Sequence, residues 1–309
     1  MMTVQHFGLA HRYFRKMAGL SIDALAEKSL VGRATIICLE QGEDRLPQTD
    51  TIHSLYKEIG VNPHNLVTGY KTMENPEISD QVYKLDTCLY ESKYNEASDI
   101  IHRLEADEQF MQEWMNVRHI RAAKAVLANA GNAVPEDILF MLEKVLPNIN
   151  DIHHEEQILD ILLTHIEYFS LDVFAQTLSR VGESVRSTVV YKGMIENTIR
   201  NNKDKHERGQ RLTMLYLRLA ENLYVMKQYN EAVEICLLGR KMCNKSHNLD
   251  LMHKIAIIQI RCHIELGEQK EGLSLSRQLF HVHLLLQDIA KADEVKVYVK
   301  ENFDIDFIF

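Results

Sequence analysis

Arg33 and Thr35 stand in a stretch, Gly32-Arg33-Ala34-Thr35-Ile36, that reads as the opening turn of a helix. A guanidinium and a hydroxyl placed there can meet base edges or phosphate oxygens of a nucleic acid. Ser21, Gln41 and Arg12 offer the same chemistry nearby, and Arg15 and Lys16 extend the basic stretch beside Arg12. Much later, Arg218 and Asn222 are one helical turn apart, and Lys254 and Arg261 two turns apart on one face. An asparagine side chain donates and accepts at once, and an arginine or lysine can hold a carboxylate. His153-His154-Glu155-Glu156 and His281-x-His283 lack the His-Glu-x-x-His spacing, so no metal is expected. No Gly-x-Ser-x-Gly, phosphate loop or dinucleotide fingerprint occurs, so neither a cofactor nor an enzymatic activity is expected. Cys236 and Cys243 read as small buried hydrophobes. Cys38 reads first as an ordinary thiol, since nothing beside it in sequence clearly lowers its pKa, with a redox-sensitive thiol as the alternative.

The elements that must position Arg33 and Thr35 are legible around them. Ser21 sits where an N-cap belongs, Leu25-Ala26 forms a bulky-plus-small pair, and Leu30-Val31-Gly32 interrupts the helical pattern. A short helix then runs from about Arg33 to Glu40, anchored by Ile36 and Leu39 and stopped by Gly42. A first helix over Thr3–Met17 puts Phe7, Ala10, Phe14 and Met17 on one face. After a loop at Asp44–Pro47, Thr49–Ile59 is helical, Gly60 ends it, and a short helix from Asn62-Pro63 reaches Gly69-Tyr70. Helix, tight turn, helix and glycine stop form a helix-turn-helix, the geometry that sets a helix N-terminus against a DNA major groove. The register of Leu20, Ser21, Leu25, Ala26, Glu27, Lys28, Val31, Arg33, Thr35, Ile36, Leu39, Glu40 and Gly42 resembles the phage-repressor (Cro/C1, or XRE) type. That type usually carries Gln, Ser, Ser and Arg at the positions of Ile22, Gly32, Ile37 and Cys38. The polar candidates left on the recognition helix are therefore Arg33, Thr35 and Gln41.

The composition is that of a helical globular protein, 46% apolar and 26% charged, with only 5 prolines and 13 glycines in 309 residues. No run approaches the length of a membrane span, and with no basic region before an apolar core in Met1–Ala10 no signal peptide is expected. Five cysteines lie scattered without a Cys-x-x-Cys, the usage of a cytoplasmic protein. Residues 1–70 carry seven Lys/Arg against seven Asp/Glu, so the whole net charge of −9 falls on residues 71–309. A large acidic region does not attract nucleic acid through its overall field, whereas a neutral head with local cations still binds it, better as a dimer. Residues 1–70 are thus expected to be a five-helix repressor-type head and 71–76 a linker.

Residues 77–309 are expected to be helical and repetitive. Lys93-Tyr94-Asn95-Glu96-Ala97 recurs as Gln228-Tyr229-Asn230-Glu231-Ala232, and Gly267 takes the same turn position one pair later, with Gln269 and Gly272 in place of Tyr and Ala. The later copy, Tyr216-x2-Leu219-Ala220-x2-Leu223 … Tyr229-x2-Ala232-x3-Cys236, resembles the tetratricopeptide helix pair. Between the copies, periodicity predicts helices at Glu113–Ala130, Pro135–Leu146, Glu155–Phe169, Val173–Val181 and Val185–Asn201. The fold expected is all-α, a repressor-type head followed by a right-handed array of tetratricopeptide-like pairs whose first helices line a concave face.

A head of this kind on a degenerate array resembles the peptide-sensing quorum regulators of Gram-positive bacteria, the Rgg, PlcR, NprR and PrgX type. The resemblance implies a cytoplasmic homodimer that binds operator DNA through the head and a short signalling peptide through the array. It implies DNA contacts from Arg33, Thr35, Ser21, Gln41 and Arg12, and peptide contacts from Arg218, Asn222, Lys254 and Arg261. Leu212, Leu215, Tyr216, Leu219, Leu223 and Met226 make the core stripe of their helix, with Arg218 and Asn222 expected on the opposite, solvated face. The competing reading is a scaffold protein whose head has lost DNA reading, which Ile22, Ile37 and Cys38 favour. The apolar tail Phe303–Phe309 is expected to cap the last pair, or else to make a dimer contact or enter the groove.

Overall fold

The computed structural model describes residues 4–42, 47–61, 76–159, 161–201 and 205–303. Its regular elements are all helical. The head comprises α1 (Val4–Met17), α2 (Ile22–Ser29), α3 (Arg33–Gln41) and α4 (Thr49–Ile59). Ser21 caps α2 by accepting the Ala24 N–H at 3.0 Å, and Leu30 leaves the helix in the left-handed region at φ 57°. Gly42 ends α3 at φ 72° and returns its N–H to the last carbonyls. Phe7, Ala10, Phe14, Leu25, Ile36, Leu39, Leu55, Tyr56 and Ile59 form the core, as the spacing predicts. The expected loop at Asp44–Pro47 (Pro47 apart), the fifth helix and the linker (Pro76 apart) lie outside the described residues.

One ion pair fixes α1 against α3. Arg15 donates from Nε and Nη2 to the two oxygens of Glu40 at 2.6 and 2.8 Å, and His11 Nδ1 lies 3.1 Å from the first. Arg15 is buried in this role and also holds the Leu20 carbonyl, so it is not the phosphate ligand that its sequence position suggested.

The repeats comprise α5 (Pro76–Tyr90), α6 (Tyr94–Glu105), α7 (Glu108–Gln112), α8 (Trp114–Ala130), α9 (Pro135–Glu143), α10 (Glu156–Leu159) and α11 (His165–Arg180). They continue as α12 (Ser184–Asn201), α13 (Lys205–Val225), α14 (Tyr229–Ser246), α15 (Leu249–Glu265), α16 (Gln269–Leu285) and α17 (Ile289–Phe303). A single turn recurs between them. The N–H groups of Lys93, Ala133, Gln228, Glu268 and Asp288 reach back to the carbonyls of Cys88, Ala128, Leu223, His263 and His283 at 2.8–2.9 Å. The residue before each donor, Ser92, Asn132, Lys227, Gly267 or Gln287, has positive φ, the signature of a Schellman stop. Four residues beyond the donor, Ala97, Ala232, Gly272 and Ala292 are buried where the next helix crosses. At Gly272 an added Cβ would sit 3.2 Å from Cζ of Phe303.

Two of the predicted helices are placed differently. Glu155–Phe169 and Val173–Val181 become the short α10 and one long α11 that starts at His165 and runs through residues 170–172. Helix α11 is buried on every side, including Ile166, Phe169, Ser170, Leu171, Phe174 and Thr177. A helix without a solvated face shows no amphipathic period, so its start cannot be located by one.

The chain forms two compact units, Met1–Val181 and Gly182–Phe309. Head and first repeats therefore share one unit, with Met115, Ala122, Val145 and Ile166 packed into the same apolar cluster as the head residues. At its centre Glu167 of α11 is 0% exposed. Tyr13 donates its hydroxyl to Glu167 Oε1 at 2.6 Å, Arg118 of α8 donates Nη2 to the same oxygen at 2.8 Å, and Thr164 donates to the other. Burial, then the Glu167 charge, push the Tyr13 phenol well above its ordinary range. Trp114 adds a bond from its indole N–H to the Gly60 carbonyl at 2.8 Å. In the second unit each helix from α12 to α17 packs on the next, and α13 also meets α15.

Two outcomes follow for stability. Burial raises the Glu40 carboxyl, but the bonds from Arg15 and His11 outweigh it and bring it from 4.5 down to about 2. A depressed carboxylate contributes stability above its unfolded value and loses it as pH falls through the folded one. Denaturant unfolding should thus lose about 3 kcal/mol between roughly pH 5 and 2, and Glu40→Gln should flatten that slope. An unchanged slope in Glu40→Gln would show that other carboxylates govern acid unfolding. Second, Arg118→Met strands a buried carboxylate and should cost about 3–5 kcal/mol, most of it recovered in Arg118→Met/Glu167→Leu. Additive losses in that double-mutant cycle would show that the pair is not coupled.

Candidate functional site

The expected residues fall in two regions, one in each unit. In the head, Arg33, Thr35, Cys38 and Gln41 of α3 are exposed, while Ile36 and Leu39 point inward. Gly32 precedes α3 without a side-chain cap, so the first backbone N–H groups of the helix are not claimed by its own N-cap side chain. Arg33 donates from Nε to Asp23 of α2 at 2.7 Å, and both side chains are more than half exposed. Glu40, on the same helix, is taken by Arg15. An exposed pair of this kind is worth under about 1 kcal/mol and opens readily for a competing anion. Ser21 is exposed at the start of α2, but its hydroxyl serves as the cap. Arg12 is half-buried on α1, and Lys16 and Lys28 are exposed. Ile22 packs against the head's apolar cluster, and Ile37 is half-buried.

In the second unit the stripe Leu212, Leu215, Tyr216, Leu219 and Leu223 is buried as expected. Asn222 departs from its expected place: it is 4% exposed, not on a solvated face. Its Nδ2 donates to the Ser184 carbonyl and to Thr188 Oγ1 of α12, both at 2.8 Å. The physical reason is that α13 is covered by α12 as well as by α14 and α15, so the side away from the Leu/Tyr stripe is an interface. Oδ1 of Asn222 is buried and has no hydrogen-bond partner. An acceptor in that state costs about 1–3 kcal/mol, which a ligand N–H reaching it would recover.

Arg218, one turn before Asn222, is half-exposed and donates to Glu221 at 3.1 Å. Lys254 and Arg261 are exposed on α15. The Arg261 guanidinium lies 6.0 Å from the ring centroid of Tyr298 on α17. Burial raises the Tyr298 phenol, and the neighbouring Arg261 works against that rise. Asp23, Ser184, Thr188 and Tyr298 were not singled out in the sequence, because only tertiary packing brings them to these sites. Thr188 and Ser184 carry no local pattern beyond being small polar residues at a helix start.

Among the described residues no three His, Cys, Asp or Glu side chains converge as a metal site. His283 faces His253 of α15, with ring nitrogens 2.9 Å apart, and burial lowers both. Cys88, Cys236, Cys243 and Cys262 are buried thiols, and burial pushes Cys236, Cys243 and Cys262 upward, the latter two to about 11. No described helix is long and apolar enough to cross a membrane.

Neither a protein-family model nor a curated protein sequence matches the chain. Solved structures do. PlcR of Bacillus thuringiensis, in complex with the peptide PapR7 and DNA, is 12% identical with a TM-score of 0.54, over 94% of this chain and 99% of PlcR. The apo competence regulator ComR of Streptococcus vestibularis is 12% identical with a TM-score of 0.57, over 97% of this chain and 98% of its own. Apo ComR of S. thermophilus is 12% identical with a TM-score of 0.52, over 95% and 98%. Over nearly its whole length, head and repeats alike, this chain shares the fold of PlcR and ComR.

Proposed function

We propose that this chain is a cytoplasmic transcription regulator that binds operator DNA as a homodimer and is controlled by a short signalling peptide held by its helical repeats. The observation that carries this reading is the likeness to PlcR, which covers 94% of the chain and extends to a protein seen with peptide and DNA together. DNA binding is assigned to residues 1–70, with 71–76 as linker, and peptide sensing and dimerisation to residues 77–309. The reading involves no cofactor, metal or catalytic step.

On the head, Arg33 and Thr35 lead into the major groove, with Gln41 and Arg12 beside them and the first turn of α3 available to phosphate. A single neutral head offers too small a contact for a stable specific complex, which is why the reading requires two. On the repeats, Asn222 offers the unpaired acceptor to a peptide N–H, and Arg218, Lys254 or Arg261 holds a carboxylate.

Gel shifts with DNA from upstream of the chain's own gene test the head. Arg33→Ala should weaken binding by about 1–3 kcal/mol, roughly ten- to hundredfold. Asp23→Asn should act oppositely, strengthening it severalfold, because it releases Arg33 and removes a negative charge facing the phosphates. Unchanged affinity in both variants takes Arg33 out of the interface. For the repeats, calorimetry against a pool of short synthetic peptides should find a ligand whose affinity falls about tenfold in Asn222→Ala. Thr188→Val removes one of the two α12–α13 bonds but keeps the acceptor, so it should bind nearly as well as wild type. Equal binding by wild type and Asn222→Ala puts the peptide elsewhere.

A further inference from the structure

His253 of α15 and His283 of α16 meet across the seam between their helices, edge to face, with ring centroids 4.9 Å apart. Nδ1 of His253 lies 2.9 Å from Nε2 of His283. His283 is buried and His253 half-buried. The proposed DNA and peptide contacts leave this pair unused. Helix α17 packs on α16, its last residue Phe303 setting its ring against Gly272, and residues 304–309 of the apolar tail lie outside the described residues.

The hydrogen positions follow from the neighbours. In a neutral pair only one of the two facing nitrogens carries a hydrogen. Glu294 of α17 lies 3.6 Å from His253 Nε2, and a carboxylate there favours an N–H on that nitrogen. His253 Nδ1 is then the acceptor, and His283 Nε2 donates to it. His283 Nδ1 is left as a bare lone pair, buried and without a hydrogen-bond partner. A proton added to the pair has no good place. On His283 Nδ1 it makes a buried N–H with no acceptor. On His253 Nδ1 it turns two N–H groups toward each other, unless His283 moves its own hydrogen to the same unaccepted position.

Burial acts most strongly on both rings and disfavours the charged form, and for His253 the facing His283 comes next. Asp288, in the turn before α17, and Glu294 oppose this at both rings, and Asp250 of α15 at His283, while Lys291 of α17 reinforces it. Lys291 is itself tied to Asp250 and to Asp288, the latter at 3.2 Å, which offsets part of that negative charge. The start of α13 and the end of α14, which meet at Gly209 and Ser246, carry Arg208, Arg211, Lys241, Lys245 and His247, and α16 carries the exposed His281. These groups add positive charge, which works against a further proton. A free histidine takes its proton near pH 6.5. The folded pair resists a proton that the unfolded one accepts, so its contribution is complete above that pH and is lost as the pH falls below it.

We propose that His253 and His283 form an acid-released latch: their bond holds α15 to α16 while both rings are neutral, and acidification below about pH 6 opens the seam at this end. His253, the more accessible ring, turns out toward Glu294 as an imidazolium, and His283 loses its acceptor.

Hydrogen exchange of the full chain tests this, read by mass over residues 249–289 and corrected for the intrinsic effect of pH on amide exchange. Protection of that segment should fall at least about tenfold from about pH 7.5 to 5.5, while α2, α3 and α4 change little. His253→Asn/His283→Gln keeps an acceptor and a donor near the positions of Nδ1 and Nε2 but titrates no proton, so its protection should be equal at both pH values. Independently of any variant, nitrogen NMR of histidine-labelled wild type should show both rings with hydrogen on Nε2 at neutral pH. Both should take their second hydrogen at lower pH than the exposed His247 and His281. Protection that ignores pH in wild type overturns the proposal, and so does an equal acid loss in the double variant. Rings that protonate alongside His247 and His281 overturn it as well.

Discussion

A carboxylate with no solvent access must be surrounded by donors, and Glu167 obliges three separate parts of the chain to supply them. Tyr13 comes from the head, Arg118 from α8 and Thr164 from the residue before α11. Leaving such a group unpaired costs several kcal/mol, more than any one of the surrounding apolar contacts contributes. The head therefore settles on the first repeats in the one arrangement that brings the Tyr13 hydroxyl to Glu167. The surrounding apolar cluster, from Phe7 and Tyr13 to Met115 and Ile166, then adds area to an orientation already specified by polar geometry.

The second unit depends on repetition instead. One left-handed residue, a backward hydrogen bond and a small residue four positions on generate the α13–α14, α15–α16 and α16–α17 crossings, so the chain stacks by reusing a local solution. Lys227 and Gln287 adopt that conformation without being glycine, which is sustained by the packing on either side. Asn222 shows what stacking does to a polar residue: α12 closes over it, takes both donor bonds and leaves the acceptor bare. A structural bond and an unpaired acceptor thus coexist in one side chain.

The head was legible in the sequence because its signals are local. Ser21 caps, Gly42 and Gly60 stop, and Ile36 and Leu39 turn inward where their spacing puts them. The tetratricopeptide turn was legible wherever Tyr, Ala or Gly marked it, and was missed at Gln287, where nothing in the residue types announces a left-handed stop. Helix α11 was misplaced because burial on all sides erases the periodicity used to find it. The candidate sites were legible only in part. Arg33 and Arg261 are exposed as expected, but the partners that decide their state, Asp23 and Tyr298, are brought to them by packing. Asn222 was chosen for the chemistry of its amide and placed on the wrong side of the interface.

The shared core of head and first repeats bears on how such a chain can be recombined. Cut just after Val61, the head would expose Tyr13, lose the indole bond to the Gly60 carbonyl and uncover the apolar surface that meets Met115 and Ile166. Grafted onto another array, it would need a matching carboxylate and arginine waiting in its new host. The transferable cassette is the whole of Met1–Val181, and a chimera joined at Val181–Gly182 carries the head's orientation with it. A junction that leaves this core intact therefore lies more than a hundred residues beyond the helix-turn-helix.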